Sequence, residues 1–297
     1  MTSLTIGQTV AGAARRFTAA GLDTARLDAR LLLAHALGRD TAPPGMADEE
    51  LVGAVTARAF ERLCQARLTG VPVSRLIGHR DFWRDRFMID SHGLDPRPDS
   101  ETLVEQALAW AAQSGRHGRH MRILDLGTGS GCLLLSLLRE LPLSTGVGID
   151  LSAGACRLAR RNGEALGLNG RCDFAVGDWL AAISGRFDLV VCNPPYIPSG
   201  DIARLDREVR EHEPRRALDG GADGLAAYRS LLPGLASVVS SGGCVLLEIG
   251  MGQADVVATM AMGFGFVAEA HNDLAGIVRC LRLEANKAGD GGGVPVN

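Results

Sequence analysis

Apolar residues along the first quarter of the chain recur at helical intervals. In "LDARLLLAHALG" (27–38), Leu27, Leu31, Leu32 and His35 fall on one stripe, and Gly38 supplies a stop. "DEELVGAVTARAFERLCQARLTG" continues the period through Leu51, Val55, Ala59, Leu63 and Ala66. "TAPPG" (41–45) separates the two helices. Residues 1–75 therefore read as a small helical bundle. By analogy with bundles attached to catalytic domains, it would hold a macromolecular substrate. The period then changes. "LIGHRDFWRDRFMID" (76–90) alternates aromatic and polar residues, which predicts a hairpin of Asp81-Phe82-Trp83 against Arg86-Phe87-Met88-Ile89 and a linker over 76–95. Pro96 and Pro98 hold the next stretch extended. Asp99 or Ser100 then caps a helix with Leu103, Ala107 and Trp110 facing inward.

From residue 121 short apolar strands alternate with helices. "MRILDLG", "GVGID", "CDFAVGD", "FDLVVCN" and "GCVLLEIG" read as strands, and the segments between the first three, together with "LAAYRSLLPGLASVV", as helices. Such alternation predicts an α/β domain over 96–284, built on a mostly parallel sheet with helices on both faces. A helix at "GQADVVATMAMG" and strands around "FVAEAH" and "GIVRCLRL" close it, the last two strands as an antiparallel edge pair. Residues 285–297, "ANKAGDGGGVPVN", read as a disordered tail.

Composition changes this picture little. A chain of 297 residues with 46% hydrophobic content and a mean hydropathy of +0.09 can bury a sizeable core in one or two domains. The net charge of -3 gives no sign of a general nucleic-acid or membrane binder. No basic leader with an apolar core opens the chain, and no long uncharged apolar run appears, so the expected compartment is the cytoplasm. Seven cysteines without a C-x-x-C pair argue for small buried hydrophobes in a reducing compartment and against a zinc site; no metal is expected. Lys287 is the single lysine, so nearly all basic side chains are arginines.

The strand ends carry the chemistry. "ILDLGTGSGCLLL" is strand, glycine turn and helix, with Gly127, Gly129 and Gly131 around Thr128 removing side chains where a ligand must approach the backbone. The spacing departs from the dinucleotide fingerprint, because Cys132 stands where a small residue is needed. Asp125, ahead of the turn, disfavours a pyrophosphate and suits an ammonium group. Asp150, at the end of the second strand, can accept both hydroxyls of a ribose. In "GDWL", Asp178 can accept an adenine amino group and Trp179 offers an aromatic face. Ammonium, ribose and adenine together describe S-adenosylmethionine. After the fourth strand comes Asn193-Pro194-Pro195-Tyr196. The asparagine oxygen is an acceptor, the prolines withhold backbone donors, and the tyrosine can stack. Acceptors of this kind suit a planar NH2 group whose nitrogen must attack a methyl carbon. Asn193, Pro194 and Tyr196 are thus the candidate catalytic residues, with Pro195 beside them in the substrate site. Asn193 also borders the cofactor. Glu248, at another strand end, is open to a substrate contact or a structural role.

The chain resembles the HemK/PrmC-type release-factor glutamine methyltransferases from roughly residue 25 to 284. The likeness is carried by "LDARLLLAHALG", "PRPDSETLVE", "DLGTGSGC", "GID", "GDW", "NPPYIP", "HEPRRALDGGADGLAAYR", "LLEIGMGQ" and "NDLAGIVR". The resemblance implies a Rossmann-like class I methyltransferase, with a mostly parallel seven-stranded sheet and a small N-terminal helical domain. The implied reaction uses S-adenosylmethionine to methylate the side-chain amide of the glutamine in the Gly-Gly-Gln motif of peptide chain release factors. Gly127, Gly129, Gly131, Asp150 and Trp179 would hold the cofactor, and Asn193 to Tyr196 the substrate amide. A ribosomal-protein glutamine or an exocyclic amine of a nucleic-acid base poses the same chemical problem. The expected partner is the release factor, with no membrane, no direct nucleic-acid contact and a monomeric state. Two departures stand out. Asp95 takes an apolar position ahead of Pro96-Arg97-Pro98-Asp99-Ser100-Glu101, placing a charge near the expected site entrance, and "SRLIGHRDFW" lacks the usual aromatic near Arg75. Arg97 is open to two roles, orienting the protein substrate or forming a structural salt bridge.

Overall fold

A computed structural model describes residues 4–39, 48–181 and 183–286. "TAPPG", Lys287 and nearly all of the expected tail lie outside the described residues. The chain opens with helices α1 (Ile6–Ala19), α2 (Ala25–Ala36), α3 (Ala54–Leu68) and α4 (Val73–Ile77). Strands β1 (His79–Phe82) and β2 (Asp85–Met88) form a two-stranded sheet, and α5 (Glu101–Gln113) follows. Then come β3 (Arg122–Leu126), α6 (Cys132–Glu140), β4 (Thr145–Asp150), α7 (Ala153–Ala165), β5 (Cys172–Val176) and β6 (Phe187–Cys192). Short helices α8 (Arg207–His212) and α9 (Arg215–Leu218) precede α10 (Ala226–Val238), β7 (Val239–Glu248), α11 (Ala254–Met262), β8 (Phe266–Asn272) and β9 (Val278–Ala285).

Two units result. One is Met1–His79 with Asp206–His212; the other is Arg80–Leu205 with Glu213–Asn297. In the first, Ile6, Phe17, Leu32, Leu33, Phe60 and Cys64 share a core. A reciprocal cap starts α1: Thr5 accepts from the Gln8 N–H, and the Gln8 side chain accepts from the Thr5 N–H. The inward faces differ from the predicted stripes. Leu27 and His35 are exposed on α2, which buries Ala25, Asp28, Ala29, Leu32 and Leu33 instead. Leu51 and Val55 are also exposed, and α3 turns Phe60, Cys64 and Arg67 inward. The polar Asp28 and Arg67 defeat an apolar count because they are buried as a pair. Arg67 donates to Asp28 at 2.7 Å, reaches Glu208 at 2.5 Å and donates to the Val71 carbonyl at 3.3 Å. Through Glu208, α8 joins the helical unit, a grouping that apolar spacing could not signal. The helical segment also runs further than expected. It continues to Ile77 and ends at Gly78 in the left-handed region (φ 79°), so the hairpin begins at His79.

In the second unit the sheet order is β5-β4-β3-β6-β7-β9-β8. The first five strands are parallel, and β9 runs antiparallel to both β7 and β8. The closing pair is antiparallel as expected, but the last strand in sequence inserts between β7 and β8. Leu103, Trp110, Leu134 and Leu137 cover one face of the sheet; Tyr228, Leu231, Leu235 and Val257 cover the other. Along α5, Leu103, Ala107 and Trp110 face inward as predicted. Among the described residues no helix is long and apolar enough to cross a membrane.

Replacing Arg67 with alanine leaves Asp28 buried without its partner. The expected cost is about 3–5 kcal/mol, seen as a lower unfolding temperature of the full chain by calorimetry. An unchanged transition would show that the pair carries no such weight.

Candidate active site

Strand register gathers the predicted residues at one edge. Leu126 of β3 aligns with Ile149 of β4 and Cys192 of β6, so Gly127, Asp150 and Asn193 emerge side by side. Asp150 aligns with Val176 of β5, which brings Gly177 and Asp178 alongside, and Cys192 aligns with Leu247 of β7, which sets Glu248 next to Asn193. This is the carboxyl end of the parallel strands, where open α/β sheets bind ligands. A cleft there is lined by Gly127, Thr128, Gly129, Asp150, Asp178, Trp179, Asn193, Pro195 and Arg97 among others.

The turn itself is open backbone. Gly127 has φ 74°, and a Cβ there would meet nothing nearer than the Trp179 indole at 3.6 Å. At Gly129 the nearest atom would be 3.9 Å away. The Gly129 N–H donates to Asp150 Oδ2 at 2.9 Å, and the Ser152 N–H to Oδ1 at 2.8 Å. Each carboxylate oxygen keeps a lone pair for a hydroxyl in the cleft. Gly131 does other work. It stands at the N-cap of α6 with φ 82°, where a Cβ would lie 3.0 Å from that of Ala159, so it serves the packing of α6 on α7.

Asp125, the acid expected to face an ammonium group, is set back from the cleft. Its side chain is 1% exposed and lies beneath the turn, outside the cleft lining, where it accepts from Thr128 Oγ1 at 2.6 Å. Burial pushes its carboxyl up to about 7; the Thr128 bond opposes the rise and the Asp150 charge adds to it. The acid underpins the turn, and the open positions above it belong to backbone. Trp179 sits in the left-handed region (φ 48°), an uncommon conformation for a bulky residue, with its indole edge against Gly127. That strain places the ring at the cleft rather than along β5.

Asn193 is held from behind. Its Nδ2 donates to Ser100 Oγ at 2.9 Å, and Ser100 Oγ donates to Glu248 Oε2 at 2.5 Å. Ser100 occupies the N-cap of α5 but makes no side-chain cap: its oxygen accepts from Asn193 Nδ2 while its proton goes to Glu248. Tyr196 turns inward, donating to Glu248 Oε1 at 3.3 Å, while its carbonyl accepts from Gln253 Nε2 at 3.0 Å. Pro194 is buried under the loop and Pro195 faces the cleft. Burial pushes the Tyr196 phenol well above its ordinary range, so it stays protonated. The Ser100–Glu248 pair was missed in the sequence. Of the two roles open to Glu248, a substrate contact or a structural one, its bonds to Ser100 and Tyr196 are structural, and aligning the ends of β6 and β7 places it beside Asn193.

Arg97 lines the cleft and donates to Glu213 Oε1 at 3.1 Å, the structural salt bridge expected as one of its two roles. Asp95 is buried rather than at the entrance. Its backbone N–H donates to Glu213 Oε2 at 3.1 Å, and its carboxylate lies 3.9 Å from the Arg80 guanidinium. Arg216 also lines the cleft and donates to Ser152 Oγ at 2.8 Å; nothing in the sequence singled it out.

This strand order is that of the Rossmann-like class I methyltransferases, and the cofactor is S-adenosylmethionine. Residues 8–78 match the model of the PrmC N-terminal domain, and residues 103–209 match that of the methyltransferase small domain. The chain belongs to the release factor glutamine methyltransferase family. It is 47% identical over 288 residues to the release factor glutamine methyltransferase of Rhodospirillum rubrum, covering 97% of this chain and 87% of that one. To the protein of that name from Bradyrhizobium diazoefficiens it is 43% identical over 281 residues, covering 93% and 94%. With the Caulobacter vibrioides protein the identity is 39% over 266 residues, covering 89% and 90%.

The residues present fit the cofactor: open backbone at Gly127 and Gly129, an acceptor pair on Asp150, and an aromatic edge with an acid at Asp178-Trp179. Asp150→Ala removes the carboxylate that both holds the Gly129 N–H and faces the cleft. Calorimetric titration with S-adenosylhomocysteine should show affinity falling about 10–100-fold, the range for losing one or two hydrogen bonds to a charged group. Unchanged affinity would remove Asp150 from the cofactor site.

Proposed function

We propose that this protein transfers the methyl group of S-adenosylmethionine to the side-chain amide nitrogen of the glutamine in the Gly-Gly-Gln motif of peptide chain release factors. Membership of the family supports the substrate. The observation that carries the chemistry is the Asn193 amide, tied through its NH2 to Ser100 and so left with Oδ1 for the cleft, one strand position from the open turn.

An amide nitrogen is a poor nucleophile because its lone pair is delocalised into the carbonyl. S-adenosylmethionine supplies a methyl carbon on a sulfonium centre, to which such a nitrogen can bond as the carbon–sulfur electrons return to sulfur. Asn193 Oδ1 accepts one N–H of the substrate amide, orients its lone pair and draws positive charge toward itself as the new bond forms. Pro194 and Pro195 bring no N–H to this loop, so no donor competes for the substrate nitrogen. The proton leaves after attack, when the nitrogen has become acidic, so no strong base is needed beforehand. Holding nitrogen and methyl in line supplies on the order of 7–11 kcal/mol of the barrier. Tyr196, braced by Glu248 and Gln253, walls the loop. The helical unit is read as the part that grips the protein substrate. The setting is the cytoplasm, with the enzyme a monomer and no nucleic acid in the reaction.

The test is transfer of labelled methyl from S-adenosylmethionine to a purified release factor, beside its Gly-Gly-Gln glutamine-to-alanine variant, ribosomal proteins and total RNA. Label on the wild-type factor alone is expected. Label on RNA or a ribosomal protein instead would move the substrate while keeping the cofactor. In the same assay Asn193→Ala should lose about 10²–10³ in rate with cofactor affinity unchanged. Near-normal turnover would exclude Asn193 as the amide acceptor.

A further inference from the structure

Asn193 can face the cleft in two ways. With its oxygen outward it accepts from an NH2 group; rotated by half a turn it donates instead and opposes that group. The asparagine side chain alone does not choose, since its two ends have nearly the same shape. The choice belongs to the hydrogen bond behind it. Ser100 Oγ has one proton. Glu248 Oε2 lies 2.5 Å from it and, as a carboxylate, can only accept. The proton therefore points to Glu248, and a Ser100 lone pair is left to accept from Asn193 Nδ2 at 2.9 Å.

We infer that Glu248 and Ser100 are positioning residues that set the polarity of Asn193, so that the ionised Glu248 carboxylate, acting through the Ser100 hydroxyl, presents the asparagine oxygen to the substrate amide. This inference rests on the reading of Asn193 as amide acceptor and goes beyond it: the group that selects an NH2 substrate over a carboxylate is a buried acid that touches neither substrate nor cofactor.

The surroundings of Glu248 agree. Its side chain is 1% exposed. Oε1 accepts from the Tyr196 hydroxyl at 3.3 Å, so the donors at both oxygens are those a carboxylate requires. Arg279 of β9 favours the charged form, and Asp99, beside Ser100, opposes it. The Tyr228 hydroxyl donates to the Glu248 backbone carbonyl, leaving the side chain alone. Cys132, Cys192 and Cys280 also feel the Glu248 charge, and burial raises all three thiols well above neutrality, so they remain protonated. Burial pushes the Glu248 carboxyl itself up to about 7, against the Ser100 and Tyr196 bonds. Protonated, Glu248 gains a donor and can give its proton to Ser100. Ser100 can then donate to Asn193, which favours the reversed amide. The active form is the deprotonated one, so the rate should rise with pH through about 7.

The experiment is the single-turnover methylation rate of the release factor between about pH 6 and pH 8, with cofactor affinity measured alongside. For the wild-type chain a limb rising through neutrality is expected. Ser100→Ala cuts the relay while leaving Glu248 in place. Its rate should fall about 10–100-fold, with S-adenosylhomocysteine affinity unchanged and the pH limb gone. Ser100→Thr keeps the hydroxyl and should restore both rate and limb. Glu248→Gln cannot ionise and should give a flat profile, which also separates Glu248 from Asp125, whose carboxyl is pushed to the same region. A limb that survives in Glu248→Gln, or that merely moves to higher pH in Ser100→Ala, would overturn the inference. Loss of activity in Asn193→Ala with no effect of Ser100→Ala sinks the relay alone; full activity in Asn193→Ala sinks the underlying reading as well.

Discussion

The alignment of parallel strand ends is the constraint on which the site depends. In a parallel ladder each strand starts at the same end of the sheet, so its connections leave from one edge and return along a face. Here β3, β4, β5, β6 and β7 finish within a residue or two of one another. Segments as distant in sequence as Gly127, Asp178 and Glu248 therefore share one edge without any direct link. Their chemistries do not resemble one another. What they share is a position at or just past the end of a buried strand, where the parallel ladder runs out.

That edge concentrates acids, and each is managed differently. Asp125 goes under the turn and accepts from Thr128. Asp150 stays at the surface of the cleft and accepts two backbone N–H groups. Glu248 is buried and receives two hydroxyl donors. A carboxylate with charge-assisted donors tolerates a setting that would otherwise neutralise it. For Asp125 and Glu248 burial is the larger influence, and both carboxyls rise to about 7. The same burial acts on the thiols, which behave as small apolar side chains at the sheet and its helices.

Much of the catalytic domain was legible because its signals are local. A strand, a glycine turn and a helix follow directly in "ILDLGTGSGCLLL", and the prolines of Asn193-Pro194-Pro195-Tyr196 mark a strand end wherever they occur. The helical unit was legible as helices but not as faces. Apolar spacing put Leu27 and Val55 inward, and both are exposed, because Asp28 and Arg67 occupy the inner positions as an ion pair. A hydrophobic count has no means of scoring a charge that is buried with its partner. Asp95 is likewise buried, with Arg80 of β1 3.9 Å from its carboxylate, and a charge set among polar neighbours in the interior gives an apolar count no signal. Asp125 shows a further limit: strand position predicts which edge a residue reaches, but not whether its side chain rises above the turn or folds beneath it.

Ser100 makes the same point within the site. Its local sequence context is that of a helix cap, and a serine there ordinarily gives its oxygen to the first free N–H groups of the helix. The cap position is kept and the cap bond is not, because a tertiary acceptor takes the hydroxyl proton and Asn193 takes the lone pair. A donor and an acceptor are thereby joined in series across α5, β6 and β7. The polarity that the cleft presents is then a consequence of proton accounting along that series. It cannot be deduced from the identity of Asn193, whose amide offers both a donor and an acceptor. It requires knowing that the far end of the series is a carboxylate, which has nothing to donate while it carries its charge.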